Sequence, residues 1–309
     1  GFGGSQDSAT VSSGDTLNVN GATVTNTTVN DGGSMDVAMA SSGWTTSAGS
    51  AVNTTVQTGG SDLINSGSFE IASAGQDTGV TIGASGALNV ETGGTAIADT
   101  ILADGAAIVS SGGTTTSNSI YGSQIISAGG TGNQDIVEDG GNLLVSGGTV
   151  SGTEIEAGGT ISVLNGSWTN ASAINLVVHE GATADIGSGG VAIIDNATVQ
   201  SLTINWSGSA IVNASGIMSD ATINWGGSAI VNAGGIISGG TLSGAYSDIY
   251  VSEGGIASGV TVETAGVLSV YAGGSGVANT IEANASAFIA NGGVTSNNII
   301  YGSQTMSAG

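Results

Sequence analysis

INWSGSAIVNASGIMSDAT, residues 204–222, is followed at once by INWGGSAIVNAGGIISGGT, residues 223–241. Ile204 answers to Ile223, Trp206 to Trp225, Ile211 to Ile230 and Asn213 to Asn232, each nineteen residues on. Most mismatches exchange one small residue for another, so side-chain volume stays low at the same places. A fixed period of this size marks a repeat architecture, in which each repeat buries its apolar face only against its neighbours.

The same grammar runs outward from this pair. GALNVETGGTAIADTILADG at 86–105, GSQIISAGGTGNQDIVEDGG at 122–141 and GVLSVYAGGSGVANTIEANA at 266–285 share it. Each reads as Gly, a short run of Val, Ile, Leu and Thr, a Gly pair, a second short run and Gly again. Such runs suit strands, and Gly, Asn and Asp at the joints accept the positive φ of tight corners. Helical spacing is absent, and this much Gly opposes helix. Two short runs cannot bury a core alone, but wound into a coil and stacked on the next coil they can. The sequence therefore predicts an all-β fold, a parallel β-helix (β-solenoid) of about 19 residues per coil. At roughly 4.8 Å per coil, about 16 coils make a rod of about 75 Å.

Composition sets the bounds. The chain has 309 residues, 57 Gly, no Pro, no Cys, no Lys, no Arg and 23 acidic residues, with a hydrophobic fraction of 39%. That is too apolar for a disordered chain. Phosphate binding rests on Lys and Arg, so nucleic acid is not an expected partner. The longest apolar runs, such as INLVV at 174–178, fall far short of the ~20 residues of a membrane helix, so membrane insertion is not expected.

One β-solenoid domain is expected over residues 1–309, with an irregular, insertion-like region near 166–201 where the glycine spacing lengthens. SGGTTTSNSIYGSQIISAG at 111–129 recurs as NGGVTSNNIIYGSQTMSAG at 291–309, where no polar cap follows. The expectation is a fragment of a longer chain, or a unit whose end another molecule covers.

GVLSVYAGGSGVANTIEANA and GSQIISAGGTGNQDIVEDGG resemble the AIDA-type repeats of autotransporter passenger domains, from the self-associating adhesins of Gram-negative bacteria. The resemblance covers most of the chain. It implies a right-handed β-helix displayed outside the cell, acting in adhesion, autoaggregation and biofilm formation. Some members carry heptose on Ser and Thr hydroxyls. By position, Ser127 and Ser307, just before the Gly steps, are the hydroxyls this resemblance marks for glycosylation. The absence of Lys and Arg departs from the family.

Candidate chemistry is sparse. Glu138, Asp139 and Glu156 stand just before Gly corners, and aligning the Gly pairs sets Glu138 beside Glu156 on the next coil. Stacked carboxylates make them calcium candidates; the alternative is a solvated acidic corner that keeps the rod soluble. The glycine-aspartate nonapeptide of calcium-binding β-rolls is missing. His179 is the only imidazole, beside Glu180, and reads as a surface residue. No nucleophile–base–orienter set emerges, so no catalytic residue and no cofactor is expected. Trp206 and Trp225 should form a two-rung aromatic ladder, either a binding strip for sugars or a partner, or packing at a strand end.

The function expected is that of a non-enzymatic extracellular adhesin, with self-association and surface glycans as partners. The alternatives are a subunit of an extracellular filament or surface layer and, third, a polysaccharide-active β-helix enzyme. Crowding of carboxylates should raise their pKa values, so stability should rise as pH falls through roughly 5 to 3.

Overall fold

The computed structural model describes residues 4–30, 34–38, 40–42, 45–47, 50–52, 55–56, 61–64, 68–71, 76–83, 86–164, 171–178, 183–187, 189–194 and 197–307. The chain divides into two compact units: Gly1–Val150 with Gly158–Thr160, and Ser151–Ala157 with Ile161–Gly309. Every regular element among the described residues is a β-strand. No helix there is long and apolar enough to cross a membrane.

In the first unit a coil has three sides, where the sequence suggested two. Thr95–Ile97, Thr100–Ile101 and Ala106–Val109 form one coil. Each side pairs in parallel with the next coil, at Thr95↔Thr114, Thr100↔Ser119 and Ala106↔Ser123. Equivalent residues lie 19 apart, as Val80 and Asp99 do, or 17 apart where a coil shortens, as between Asn118 and Asp135. The fold is the β-solenoid that the period implied.

Two kinds of corner make the coil. The Gly pair is the first. Gly112 has φ +78°, and a Cβ on Gly113 would lie 2.4 Å from the carbonyl oxygen of Val90 on the preceding coil. One glycine supplies the turn; the other lets two backbones approach. The second corner splits what reads as a single run. Ala98 (φ 54°), Ser117 (φ 58°) and Gln134 (φ 54°) are left-handed, and each is followed by a buried residue. None of these three is a residue that announces a left-handed turn, which explains why the sequence concealed this side.

The second unit repeats the plan. Ile204 pairs with Ile223, and Ile211 with Ile230, as the duplicated stretch predicted. Inward ladders of Ile204, Ile223, Leu242, Val262 and Ile281 are buried. Each such side chain contributes roughly 1.5–3 kcal/mol on leaving water.

The described part of 166–201 runs in the sheets of this unit: Ser172 pairs with Val191, Val178 with Val199 and Ala184 with Leu202. What changes there is phase. The side that is three residues at Ser172–Ile174 is four at Val191–Ile194 and Ser209–Val212. The side that is two at Val177–Val178 is three at Thr198–Gln200 and Ile217–Ser219. The grammar thus shifts by one side of the coil, which lengthens the glycine spacing while the ladders continue. In the first unit, Ala40–Ser42 pairs antiparallel with Thr45–Ser47, a pairing the repeat pattern did not announce.

Candidate functional site

The aromatic corner of the second unit follows directly from the duplication. Trp206 and Trp225 meet edge to face, with ring centroids 5.3 Å apart and planes at 85°. They stay 58% and 55% exposed. Beneath them Asn224 Nδ2 donates to Asn205 Oδ1 at 2.9 Å, and Asn205 Nδ2 donates to Asp185 Oδ1 at 2.6 Å. The Asn213–Asn232 rung forms the same way at 2.9 Å. Gly244 ends the aromatic wall, for a Cβ there would lie 3.2 Å from Trp225 Cβ. An open depression of about 720 Å³ borders this point, lined by Gly244 and by Glu263 and Glu282 on successive coils.

The other sequence candidates are distributed over both units. Glu138 and Asp139 belong to the first unit and Glu156 to the second. Among the described residues no group of three or more His, Cys, Asp or Glu is placed to hold a metal ion. Ser127 ends the strand Ser123–Ser127 and is half-buried, while Ser307 is exposed. His179 and Glu180 lie outside the described residues.

Sequence reading missed the most unusual chemistry, which is inside. Asp77, Asp99 and Asp135 are 0%, 1% and 0% exposed in the core of the first unit. Asp99 and Asp135 follow the left-handed corner residues, in the slot that Val80 fills one coil before Asp99. The side chain in this slot reaches back one coil. Asp99 Oδ1 accepts the Val80 N–H at 2.8 Å, Asn118 Oδ1 accepts the Asp99 N–H at 2.9 Å, and Asp135 Oδ1 accepts the Asn118 N–H at 3.0 Å. Asp135 Oδ2 also accepts from the Thr115 hydroxyl and from Gln124 Nε2, both at 2.8 Å. Asp77 occupies, beside Asp99, the column position that Thr115 holds beside Asp135, and its carboxyl acts against the rise of the Asp99 pKa.

Burial pushes the Asp99 carboxyl up to about 7; the Val80 N–H and Asp77 oppose the shift, and the nearby Asp135 carboxyl adds to it. Burial likewise raises Asp135, against the pull of Asn118, Thr115 and Gln124. Exposed Asp7 moves the other way, lowered by hydrogen bonds from Thr25 and Asn26. The sequence expectation of acid stabilisation therefore acquires a different cause, desolvation of a few carboxyls, and a higher window. A signal existed: Asp99, Asn118 and Asp135 each stand two residues before a buried Ile or Val, in DTI, NSI and DIV.

Several solved chains match this one. The chain is similar to the crystal structure of the TibC-catalyzed hyper-glycosylated TibA55-350 fragment. The two are 28% identical over 99% of this chain and 96% of that chain, with a TM-score of 0.35. No family model and no curated protein matches the chain.

Proposed function

We propose that this protein is a non-enzymatic, self-associating adhesin of a Gram-negative cell surface, meeting copies of itself side to side and acting in cell–cell adhesion and biofilm formation. The observation that carries the reading is a lateral face of the second unit whose strands hold no acid. Thr198–Gln200, Ile217–Ser219, Ile236–Ser238, Ile256–Ser258, Ser275–Val277 and Val294–Ser296 pair in register. Ile217, Ile236 and Ile256 form one outward column, and Ser219, Ser238 and Ser258 another. Asp220 and Glu253 stand only on the bordering turns. On a chain with a formal charge of −23 and no Lys or Arg, such a face is where two copies can approach with least repulsion.

Magnitude argues for a weak contact used many times. Six strands at ~4.8 Å spacing, each about 10 Å long, present roughly 300 Å², against about 800 Å² per partner in a stable pair. Dense display on a surface would raise avidity without new contacts. Glycans on Ser127 and Ser307, and a sugar strip at Trp206 and Trp225, belong to the same reading as further surface chemistry.

Light scattering tests it. Association should be weak at low ionic strength and strengthen with salt, as the screening length falls from about 30 Å at 0.01 M to about 8 Å at 0.15 M. Ile236→Asp should lower association at least tenfold at 0.15 M salt. Equal association by the variant would refute this face as the contact.

A further inference from the structure

Asp99 and Asp135 occupy the same slot two coils apart, and their surroundings differ at two positions. Each reaches back to the preceding coil. There the inward column of the three-residue side runs Asp77, Ala96, Thr115, Gly132. Asp135 therefore meets the Thr115 hydroxyl, with Gln124 Nε2 beside it and the Asn118 N–H behind. Each donor has a proton to give at any pH. Asp99 meets the Val80 N–H, and the column position corresponding to Thr115 is held by the buried carboxyl of Asp77, with Leu88 in the position of Gln124.

A carboxylate cannot donate. Asp77 and Asp99 can therefore hydrogen-bond only while one of them holds a proton. Both are shut away from water, so solvent cannot bridge them when the proton leaves. No Lys or Arg exists in the chain to supply a counter-charge. Groups facing the pair include the Val80 N–H, the Gly79 backbone, Asn118 through its bond to the Asp99 N–H, and the carboxyl of Asp135, which repels Asp99.

We propose that Asp77 and Asp99 form a proton-operated clamp, one shared proton tying two successive coils of the first unit, so that this unit tightens in mildly acidic surroundings and loosens in alkaline ones. The proton passes between bulk water and the pair, and no covalent bond changes. The sign follows from linkage. The folded pair holds its proton to higher pH than the unfolded chain does, so stability is fully present below the unfolded carboxylate range and is lost as pH rises through neutrality.

Asn supplies a permanent donor without changing the shape of the slot, and the wild-type chain already places Asn118 there. Asp99→Asn should keep the Val80 bond and replace the shared proton by an amide N–H. Denaturant unfolding of the full chain would be followed from pH 5 to pH 8.5 in 0.15 M salt. The wild-type folding equilibrium should weaken more than tenfold across that range, and Asp99→Asn should remove most of the change. The infrared band of a protonated carboxylic acid should be present in the wild-type protein at pH 6, persist in Asp135→Asn, which removes the other raised carboxyl, and weaken in Asp99→Asn. A wild-type midpoint independent of pH, an Asp99→Asn variant with the wild-type slope, or no acid band at pH 6 would each overturn the clamp. If Asp99→Asn fails to fold, Asp135→Asn decides the matter: an acid band and pH slope that vanish with Asp135 would overturn the clamp, and ones that persist support it.

Discussion

The two units contain the same buried ladder built from different side chains. In the first, the Val80 N–H donates to Asp99 Oδ1 at 2.8 Å, and the next rungs are Asn118 and Asp135. In the second, the Val260 N–H donates to Asn279 Oδ1 at 2.9 Å, and the Asn279 N–H to Asn298 Oδ1 at 2.9 Å. What the corner requires is a short side chain with an oxygen that reaches one coil back to an otherwise orphaned N–H. Asp and Asn both meet that need. They differ in the second atom of the group. Asn279 Nδ2 donates to the Ala257 carbonyl at 3.0 Å, so the neutral rung is satisfied at every pH. Asp99 offers a second oxygen instead, and Asp77 must share a proton with it. The backbone geometry is common to both units, while protonation distinguishes them.

The most severe way to break this comparison is to put an acid where the second unit has an amide. Asn279→Asp would aim a carboxylate oxygen at the Ala257 carbonyl at a fully buried position, in a chain without Lys or Arg. An uncompensated buried charge costs about 3–5 kcal/mol when no partner relieves it. The expected loss of stability at pH 8 is therefore about 3 kcal/mol, shrinking as pH falls toward 4 and the carboxyl takes up a proton. Denaturant midpoints at the two pH values measure both quantities. A loss that is equal at pH 8 and pH 4 would assign the damage to shape and remove charge from the account.

A gentler change sharpens the contrast within the first unit. Thr115→Val keeps the shape of the side chain and removes the hydroxyl that donates to Asp135. Gln124 and the Asn118 N–H remain as donors. Losing a hydrogen bond to a charged acceptor costs about 1.5–3 kcal/mol, and the two remaining donors hold the effect near the lower end. Asp135 should then titrate higher still in the folded state, so the loss is expected to be larger at pH 8 than at pH 4. A loss independent of pH would mean that Asp135 already holds its proton throughout this range.

How much of this was legible before the structure differed sharply by residue type. The pairing of Ile204 with Ile223 and of Asn213 with Asn232 was readable because the duplicated stretch repeats large or amide-bearing residues at fixed spacing. The third side of each coil was hidden because its corner is made by Ala98, Ser117 and Gln134. Nothing in those side chains demands a left-handed backbone; the stacking of neighbouring coils imposes it. The phase shift near 166–201 looked like added chain because a turn moved to another side of the coil, which changes glycine spacing as an insertion would. The buried acids were missed for a related reason. Attention went to acids beside glycine pairs, such as Glu138 and Asp139, whereas Asp99 and Asp135 sit in a slot that also accepts Val80. A slot that tolerates both Val and Asp carries no hydropathy signal.

The smallest effect should come from the ladder on the outside. Trp206 and Trp225 stack rung on rung like the buried Asp and Asn, but more than half of each ring faces water. An aromatic pair contributes about 0.5–1.5 kcal/mol beyond its burial, and exposure on this scale places Trp225→Ala at the low end, below about 1 kcal/mol. Nothing titratable is removed, so the loss should be the same at pH 8 and pH 4. The variant also leaves the Ile217, Ile236 and Ile256 column intact, so side-to-side association should be unchanged where Ile236→Asp should lower it at least tenfold. Denaturant unfolding and light scattering on the two variants together check these statements. A cost near 3 kcal/mol would make the tryptophans part of the framework. A loss of association with stability intact would move the contact between copies from the isoleucine face to the aromatic corner.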